Sequence, residues 1–295
     1  MFGKYYSRFA GMCLRGYSHV ALSERGSFRL VRAARKLMPR DAWDGEYMVG
    51  GGRRMRLDIS DYPDCCMAYG LYELTTARLI KSILRPGDHF VDGGANIGYF
   101  TLMAAQAVGT SGRVDAFEPQ PENRARLVEH LKRNDLSGRV NIHELALGEL
   151  DSKIEIKFYE GDGVNHGCSS IYERTNATVI SATNVSMRRM DQVLVGTSPR
   201  LVKLDIEGAE YAAVLGMEGL LKNAECPMHI ITECNYSAHA NHGALPEDFV
   251  KKVLSFNSNY GVYAIGTKLK RLDPNRLAEQ TGGRECNLYF RPPNA

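Results

Sequence analysis

The stretch "HFVDGGANIGYFTL", residues 89–102, ends an apolar run with a carboxylate, Asp92, placed directly before a glycine turn. A turn shaped to hold a pyrophosphate would avoid that charge, because the carboxylate repels the phosphates. The dinucleotide fingerprint G-x-G-x-x-G also fails here. Two places beyond Gly94 stands Asn96, and two beyond Gly93 stands Ala95. The pattern suits a cation that carries an amine. S-Adenosylmethionine (SAM) has an ammonium group, a sulfonium and no phosphate. Gly94 and Gly98 would let such a ligand come close to the backbone. A helix starting at Ile97 would offer free N–H groups to its carboxylate.

Outward from this turn the hydrophobic periods alternate. "HFV" (89–91) and "RVDAF" (113–117) read as strands. "IGYFTLMAAQAV" (97–108) and "PENRARLVEHLKRN" (121–134) read as helices, the second with proline in its first turn. "VNIHELAL" (140–147) reads as a third strand and "KIEIKFY" (153–159) as an added antiparallel one, while residues 160–187 read as a polar loop. The strands "RLVKLD" (200–205) and "MHIITE" (228–233) precede the helices "AEYAAVLGMEGLL" (209–221) and "PEDFVKKVLSF" (246–256). "GVYAI" (261–265) and "CNLYF" (286–290) finish the sheet. This order predicts an α/β fold, a doubly wound, mostly parallel, seven-stranded sheet with an antiparallel last strand. Ligands of such sheets sit beyond the carboxyl ends of the strands.

Before the sheet, residues 1–60 are expected to form a basic accessory segment, a helix followed by a hairpin, with 61–295 as the main domain. Residues 1–40 hold nine Lys/Arg against one acid, Glu24. "SERGSFRLVRAARKLMP" has apolar residues at roughly helical spacing and stops at Pro39. "GEYMVGGGRRMRLDIS" (45–60) reads as a hairpin with Gly50-Gly51-Gly52 as its turn. "LYELTTARLIKSIL" (71–84) is an amphipathic helix stopped by Pro86-Gly87. The net charge of +3 is too small to point to nucleic acid. No apolar run is long enough to cross a bilayer. The first twenty residues lack the apolar core of a signal peptide. Seven cysteines without zinc spacing read as reduced thiols. A cytoplasmic protein is therefore expected, and a homo-oligomer is compatible with the composition.

The second strand ends in Glu118, within "DAFEPQPEN". An acid there accepts hydrogen bonds from ribose hydroxyls, a role shared by NAD and SAM proteins. Together with the Asp92 turn it favours SAM. "FVDGGANIGYFTLMAA", "VDAFEPQPENRARL", "ELALGELD" and "LVKLDIEGAEYAAVLG" occur in this order, and over about residues 70–290 the chain resembles the FkbM family of SAM-dependent methyltransferases. The resemblance implies the Rossmann-like class I methyltransferase fold and O-methylation of a hydroxyl on a sugar or small natural product. It implies that Asp92, Gly94, Asn96 and Gly98 line the methionine end of SAM, that Glu118 holds the ribose, and that Ala146 and Leu147 flank the adenine. It also draws attention to Glu73, where the family often has an acid.

For the reaction itself, the end of the fourth strand reads "KLDIEGAE". Asp205 is the first candidate for general base, with Lys203 on its face of the strand and Glu207 two places on; either could orient it. His166, in "GVNHGCSS", is a further candidate base. Glu233 and Asn235, at the end of the fifth strand, could join Asp205 around a divalent cation such as magnesium, although a metal-free site is the favoured reading. Two other activities compete. An NAD-dependent oxidoreductase or epimerase lacks its fingerprint here. A nucleic-acid methyltransferase would use the basic N-terminal segment, but "DIEG" stands where its base-flipping signature would be. The expected partner is a small-molecule acceptor rather than nucleic acid.

Overall fold

The computed structural model describes residues 43–60, 63–159, 169–170, 178–222, 228–236 and 245–293, and the single positions 13, 16, 29, 31 and 33. A hairpin comes first, β1 (Asp44–Val49) and β2 (Arg53–Asp58), paired antiparallel. Its turn places Gly51 and Gly52 at φ +84° and +81°, a region that L side chains rarely adopt. Along β2 the side chains alternate, with Arg53, Met55 and Leu57 buried and Arg54, Arg56 and Asp58 exposed. Helices α1 (Asp64–Ala68) and α2 (Leu74–Ile83) lead into the alternating part.

The α/β units follow in order. They are β3 (His89–Gly93), α3 (Tyr99–Val108), β4 (Arg113–Phe117), α4 (Pro121–Arg133) and β5 (Val140–His143). After an excursion come α5 (Met190–Val193), β10 (Leu201–Leu204), α6 (Glu210–Leu215), α7 (Glu218–Lys222), β11 (His229–Cys234) and α8 (Pro246–Phe256). The chain closes with β12 (Gly261–Ala264), β13 (Lys270–Arg271), α9 (Leu277–Thr281) and β14 (Cys286–Arg291). The main sheet runs β13-β12-β14-β11-β10-β3-β4-β5. From β5 to β11 neighbouring strands are parallel, and β14 inserts antiparallel between β11 and β12. These are the seven expected strands, extended at one edge by the two-residue β13. The switch point lies between β3 and β10.

Several elements differ from the sequence reading. The segment 140–147 is not one strand: it breaks at Glu144, and β6 (Leu145–Leu147) joins a second sheet of order β6-β9-β7-β8. The strand read at 153–159 is β7 (Ser152–Tyr159), and it belongs to that second sheet. Its partner β9 (Val179–Arg188) lies inside the stretch read as loop; β8 (Ser169–Ser170) is the short fourth strand. Residues 182–188 of β9 alternate between exposed and half-buried, a two-residue period that its polar side chains conceal from a hydrophobic pattern. The helix read over 209–221 is interrupted at Gly216–Met217 into α6 and α7. There Gly216 lies so close to the Gly148 carbonyl that a Cβ would sit 2.1 Å from its oxygen.

Two apolar clusters line the faces of the main sheet. One combines Phe90, Leu201, Ile231 and Tyr289 with α2, α3 and the hairpin residues Val49, Met55, Leu57 and Ile59; Val31, from the N-terminal segment, is buried with it. The other packs α5 to α8 against Val91, Phe117, Val202 and Ile230. Within the sheet, the fully buried Asp115 gathers donors from three strands. His89 Nε2 (2.7 Å), Arg113 Nε (2.6 Å), His143 Nε2 (2.8 Å) and Asn141 Nδ2 (3.2 Å) all reach its carboxylate. Burial alone would raise its pKa, but the hydrogen bonds from His143, His89 and Arg113 outweigh burial and hold it well below the usual carboxylate range.

Asp115→Ala is expected to cost about 1–3 kcal/mol in urea unfolding at pH 7, because it removes the buried acceptor that four half-buried or exposed donors share. A carboxylate whose folded pKa is depressed stabilises above the unfolded value of 3.8 and loses that contribution as pH falls below it. Wild type and variant should therefore converge in stability toward pH 2. A difference that stays constant with pH would show that the carboxylate charge is not what holds the three strands.

Candidate active site

The carboxyl ends of β3, β4, β10 and β11 converge, and the chain's polar residues converge with them. Strand register places Lys203 beside Asp92, and Asp205 N–H donates to the Gly93 carbonyl at 3.0 Å. Gly94 and Ala95 N–H both donate to the Phe117 carbonyl at 3.0 Å, which curls the glycine turn over the end of β4. Asn96, Gly94 and Gly98 all have positive φ, and asparagine is among the few side chains that tolerate it.

The glycines have a packing reason as well as any ligand reason. A Cβ on Gly94 would lie 1.9 Å from the Asp205 carbonyl oxygen, and one on Gly98 would lie 2.5 Å from Leu127. Leu147 is part of the same contact set: its Cδ1 would be 3.0 Å from a Cβ on Gly93. Leu147 and its neighbour Ala146 are both buried, on β6.

Glu118 braces the turn. Its Oε2 accepts the Asn96 N–H at 2.7 Å and its Oε1 the Gln120 N–H at 2.9 Å. Burial pushes its pKa up to about 7, against the pull of those two N–H groups. A second brace comes from α4. His130 is fully buried; its Nδ1 lies 2.7 Å from the Ile97 carbonyl and its Nε2 accepts the Arg56 N–H at 3.0 Å. The Arg56 carbonyl also lies 3.1 Å from Nε2, and burial lowers the pKa of the ring, which favours the neutral form with the proton on Nδ1. Through this one ring the β1–β2 hairpin is tied to the glycine turn.

Asp92 is 1% exposed. Its Oδ2 accepts the Thr101 hydroxyl at 2.6 Å, and its Oδ1 is buried without a hydrogen-bond partner. Burial raises its pKa to about 6, with Lys203 pulling the other way. Lys203 Nζ, also buried, donates to Asp205 Oδ2 at 2.8 Å and lies 4.6 Å from the centroid of the Phe100 ring. Burial disfavours its charge, but Asp205, Glu73 and Asp92 outweigh burial and hold its pKa above the ordinary lysine value. Glu73 faces the same ammonium from the start of α2. It adopts φ +39°, and Asn287 Nδ2 donates to its Oε2 at 2.9 Å. Burial raises its pKa to about 7.

The remaining candidates fall as follows. Glu207 lies in the turn after β10 with φ +55°, ahead of α6. The buried acid of that turn is Glu210, whose Oε1 accepts the Ile206 N–H at 2.9 Å. Glu233 is half-buried on β11, and burial, reinforced by Asp205, Glu207 and Glu210, raises its pKa to about 10. Asn235 reaches Glu285 at 3.5 Å. Among the described residues no group of three or more His, Cys, Asp or Glu is arranged to hold a metal ion. His166 lies outside the described residues. Thr101, His130 and Asn287 escaped the sequence reading. Thr101 is the one polar residue in the apolar run "YFTLMAA", and Asn287 shares a strand face with the buried Tyr289, so both left a faint signal.

Residues 92–261 match the family described as "Methyltransferase FkbM domain", more than half of the chain. The chain belongs to the FkbM methyltransferase family. Glu73 and Asn287 both lie outside the matched span yet meet across it. No curated protein matches the chain in sequence. Among solved structures, the FkbM methyltransferase from Methylobacillus flagellatus is 18% identical, with 80% of this chain and 56% of that chain covered and a TM-score of 0.45. A SAM-dependent O-methyltransferase from Thermotoga maritima is 14% identical, covering 74% of this chain and 64% of that one, TM-score 0.39. The O-methyltransferase TomG from Streptomyces achromogenes, involved in tomaymycin synthesis, is 13% identical, covering 75% and 81%, TM-score 0.41. This chain thus spans little more than half the length of the Methylobacillus protein and under two thirds of the Thermotoga one.

Gly94→Ala is expected to destabilise the protein severely, by well over ~2 kcal/mol, since it combines a left-handed φ with a backbone clash. Gly282, a helix C-cap at φ +69° with open space around it, serves as the control; Gly282→Ala should cost only about 1 kcal/mol. Equal losses in chemical denaturation would mean that the approach of β10 to the turn is not what demands glycine at position 94.

Proposed function

We propose that this FkbM-family methyltransferase uses SAM to methylate a hydroxyl of a sugar or small natural product. The observation that carries the reading is the buried, unpartnered Oδ1 of Asp92 at a strand end ringed by carboxylates. Such an acceptor fits an ammonium group, and a buried carboxylate oxygen without a donor is costly otherwise. Glu118 keeps acceptor capacity on both oxygens beyond its two N–H partners, which fits ribose hydroxyls. Helix α3 begins at Gly98 with no side-chain cap, so its first N–H groups suit a carboxylate. Ala146 and Leu147 supply apolar surface at the adenine end.

SAM supplies an activated methyl group, and the chain must hold the acceptor in line and take its proton. Asp205 is the assigned base. Lys203 holds Oδ2, which leaves Oδ1 toward the acceptor. A carboxylate is a weak base, yet the acceptor hydroxyl becomes strongly acidic as its oxygen forms the new C–O bond. Transfer of the proton late in the step therefore needs no stronger base. Glu73, Asp92, Asp205, Glu207 and Glu210 crowd these strand ends, and among the described residues Lys203 is the buried cation beside them. That balance disfavours phosphorylated acceptors and so the nucleic-acid reading.

Asp205→Asn should leave the affinity for S-adenosylhomocysteine within about twofold, a change of roughly 0.4 kcal/mol, and abolish methyl transfer in a screen of sugar and natural-product hydroxyls. Transfer at the wild-type rate would remove Asp205 from the chemistry. Glu118→Gln should weaken S-adenosylhomocysteine binding without unfolding the chain; unchanged affinity would overturn the ribose assignment.

A pH dependence follows from the raised carboxylates. Burial pushes Asp92 up to about 6 and Glu118 up to about 7. A ligand that binds their ionised forms releases their protons, so affinity should rise from pH 5 to about 7, by up to about tenfold per unit and group, and level off above. Calorimetry in buffers of different ionisation enthalpy reads the protons released. Affinity independent of pH would sink the pairing of Asp92 with the amine.

A further inference from the structure

Cys234 and Cys286 stand directly opposite each other across the antiparallel β11–β14 pair. Opposed residues of antiparallel strands have Cα atoms roughly 4.5–5.5 Å apart, inside the roughly 4.4–6.8 Å span of a disulfide. Both thiols are free and interact with each other. Their surroundings are unequal. Cys234 is buried against the second apolar cluster, whereas Cys286 is half-buried at its rim. The hydrogen bond from Cys234 holds the Cys286 thiol below the ordinary cysteine pKa, although burial opposes it. The same contact, with burial, pushes Cys234 up. A partly accessible thiol with enhanced thiolate character beside a buried partner is the arrangement of an attacking and a resolving cysteine.

The other close pair lacks these properties. Cys65 and Cys66 are consecutive on α1 and also contact each other, but both are buried, so neither is the half-exposed thiol that a peroxide reaches. The position of the β11–β14 pair also matters. Cys234 follows Glu233 and Cys286 precedes Asn287, and those two side chains lie opposite each other on the other face of the strands, toward the active site.

We propose that Cys286 and Cys234 form a peroxide-reactive dithiol that closes to a disulfide beside the active site. The Cys286 thiolate attacks one oxygen of hydrogen peroxide. The O–O bond breaks, Cys286 becomes a sulfenic acid, and the leaving hydroxide departs as water with the proton that Cys286 gave up. The Cys234 sulfur then attacks the sulfenic sulfur. The S–O bond breaks, the S–S bond forms, and a second water leaves with the Cys234 proton. Two electrons pass from the dithiol to the peroxide.

The test treats the reduced full chain with equimolar hydrogen peroxide, alkylates remaining thiols with iodoacetamide in denaturant, and maps peptides without reduction. The expected result is the loss of two of the seven thiols, a Cys234–Cys286 linked peptide as the main product, and full reversal by dithiothreitol. In Cys234→Ser the sulfenic acid on Cys286 should persist and be trapped by dimedone as the dominant adduct. Retention of all seven thiols, a link between other cysteines, or dimedone trapping spread evenly over the chain would overturn the proposal. If Cys234→Ser does not fold, the wild-type peptide map decides alone.

Discussion

Lys203 is a buried ammonium, and such a charge persists only where carboxylates compensate its loss of water. Asp205 takes a direct hydrogen bond at 2.8 Å, and Asp92 and Glu73 add their fields. The three acids come from β3, from the end of β10 and from the start of α2, so one cation gathers residues 73 to 205 at a single point. The dependence is mutual. Without the ammonium, buried carboxylates this close would repel one another and take up protons. Asn287 then extends the cluster to the C-terminal strand by its hydrogen bond to Glu73. The charge balance of the site, and with it the kind of molecule the site accepts, rests on this arrangement.

The glycine turn shows how scaffold and chemistry share residues. Glu118 is proposed to hold the cofactor, and it already receives the N–H groups of Asn96 and Gln120 and so shapes the turn. His130 ties the same turn to the hairpin. Arg53, buried on β2, donates to the Tyr99 carbonyl at 3.4 Å and lies 5.3 Å from the centroid of its ring, which fixes the start of α3 where Phe100 and Thr101 reach the site. The hairpin thus acts on the turn from behind, through one histidine and one arginine. A change at any of these residues would alter both folding and binding.

Much was legible in the chain itself. Alternating periods, Pro121 at a helix start and apolar runs ending in Asp92, Glu118 and Asp205 predicted the sheet and which strand ends carry charge, because burial dictates those periods locally. Asp92 before the turn is the sequence feature on which the proposal of an amine ligand over a phosphate rests. Tertiary structure decided what local pattern cannot express. The break at Glu144, the pairing of β9 with β7 and the split of the helix at Gly216 depend on partners distant in sequence. So do the hydrogen bond from Asn287 to Glu73, 214 residues apart, and the opposition of Cys234 and Cys286. Side-chain periodicity reports which face of an element is buried; which residue meets which across that face is set only when the strands have taken their register.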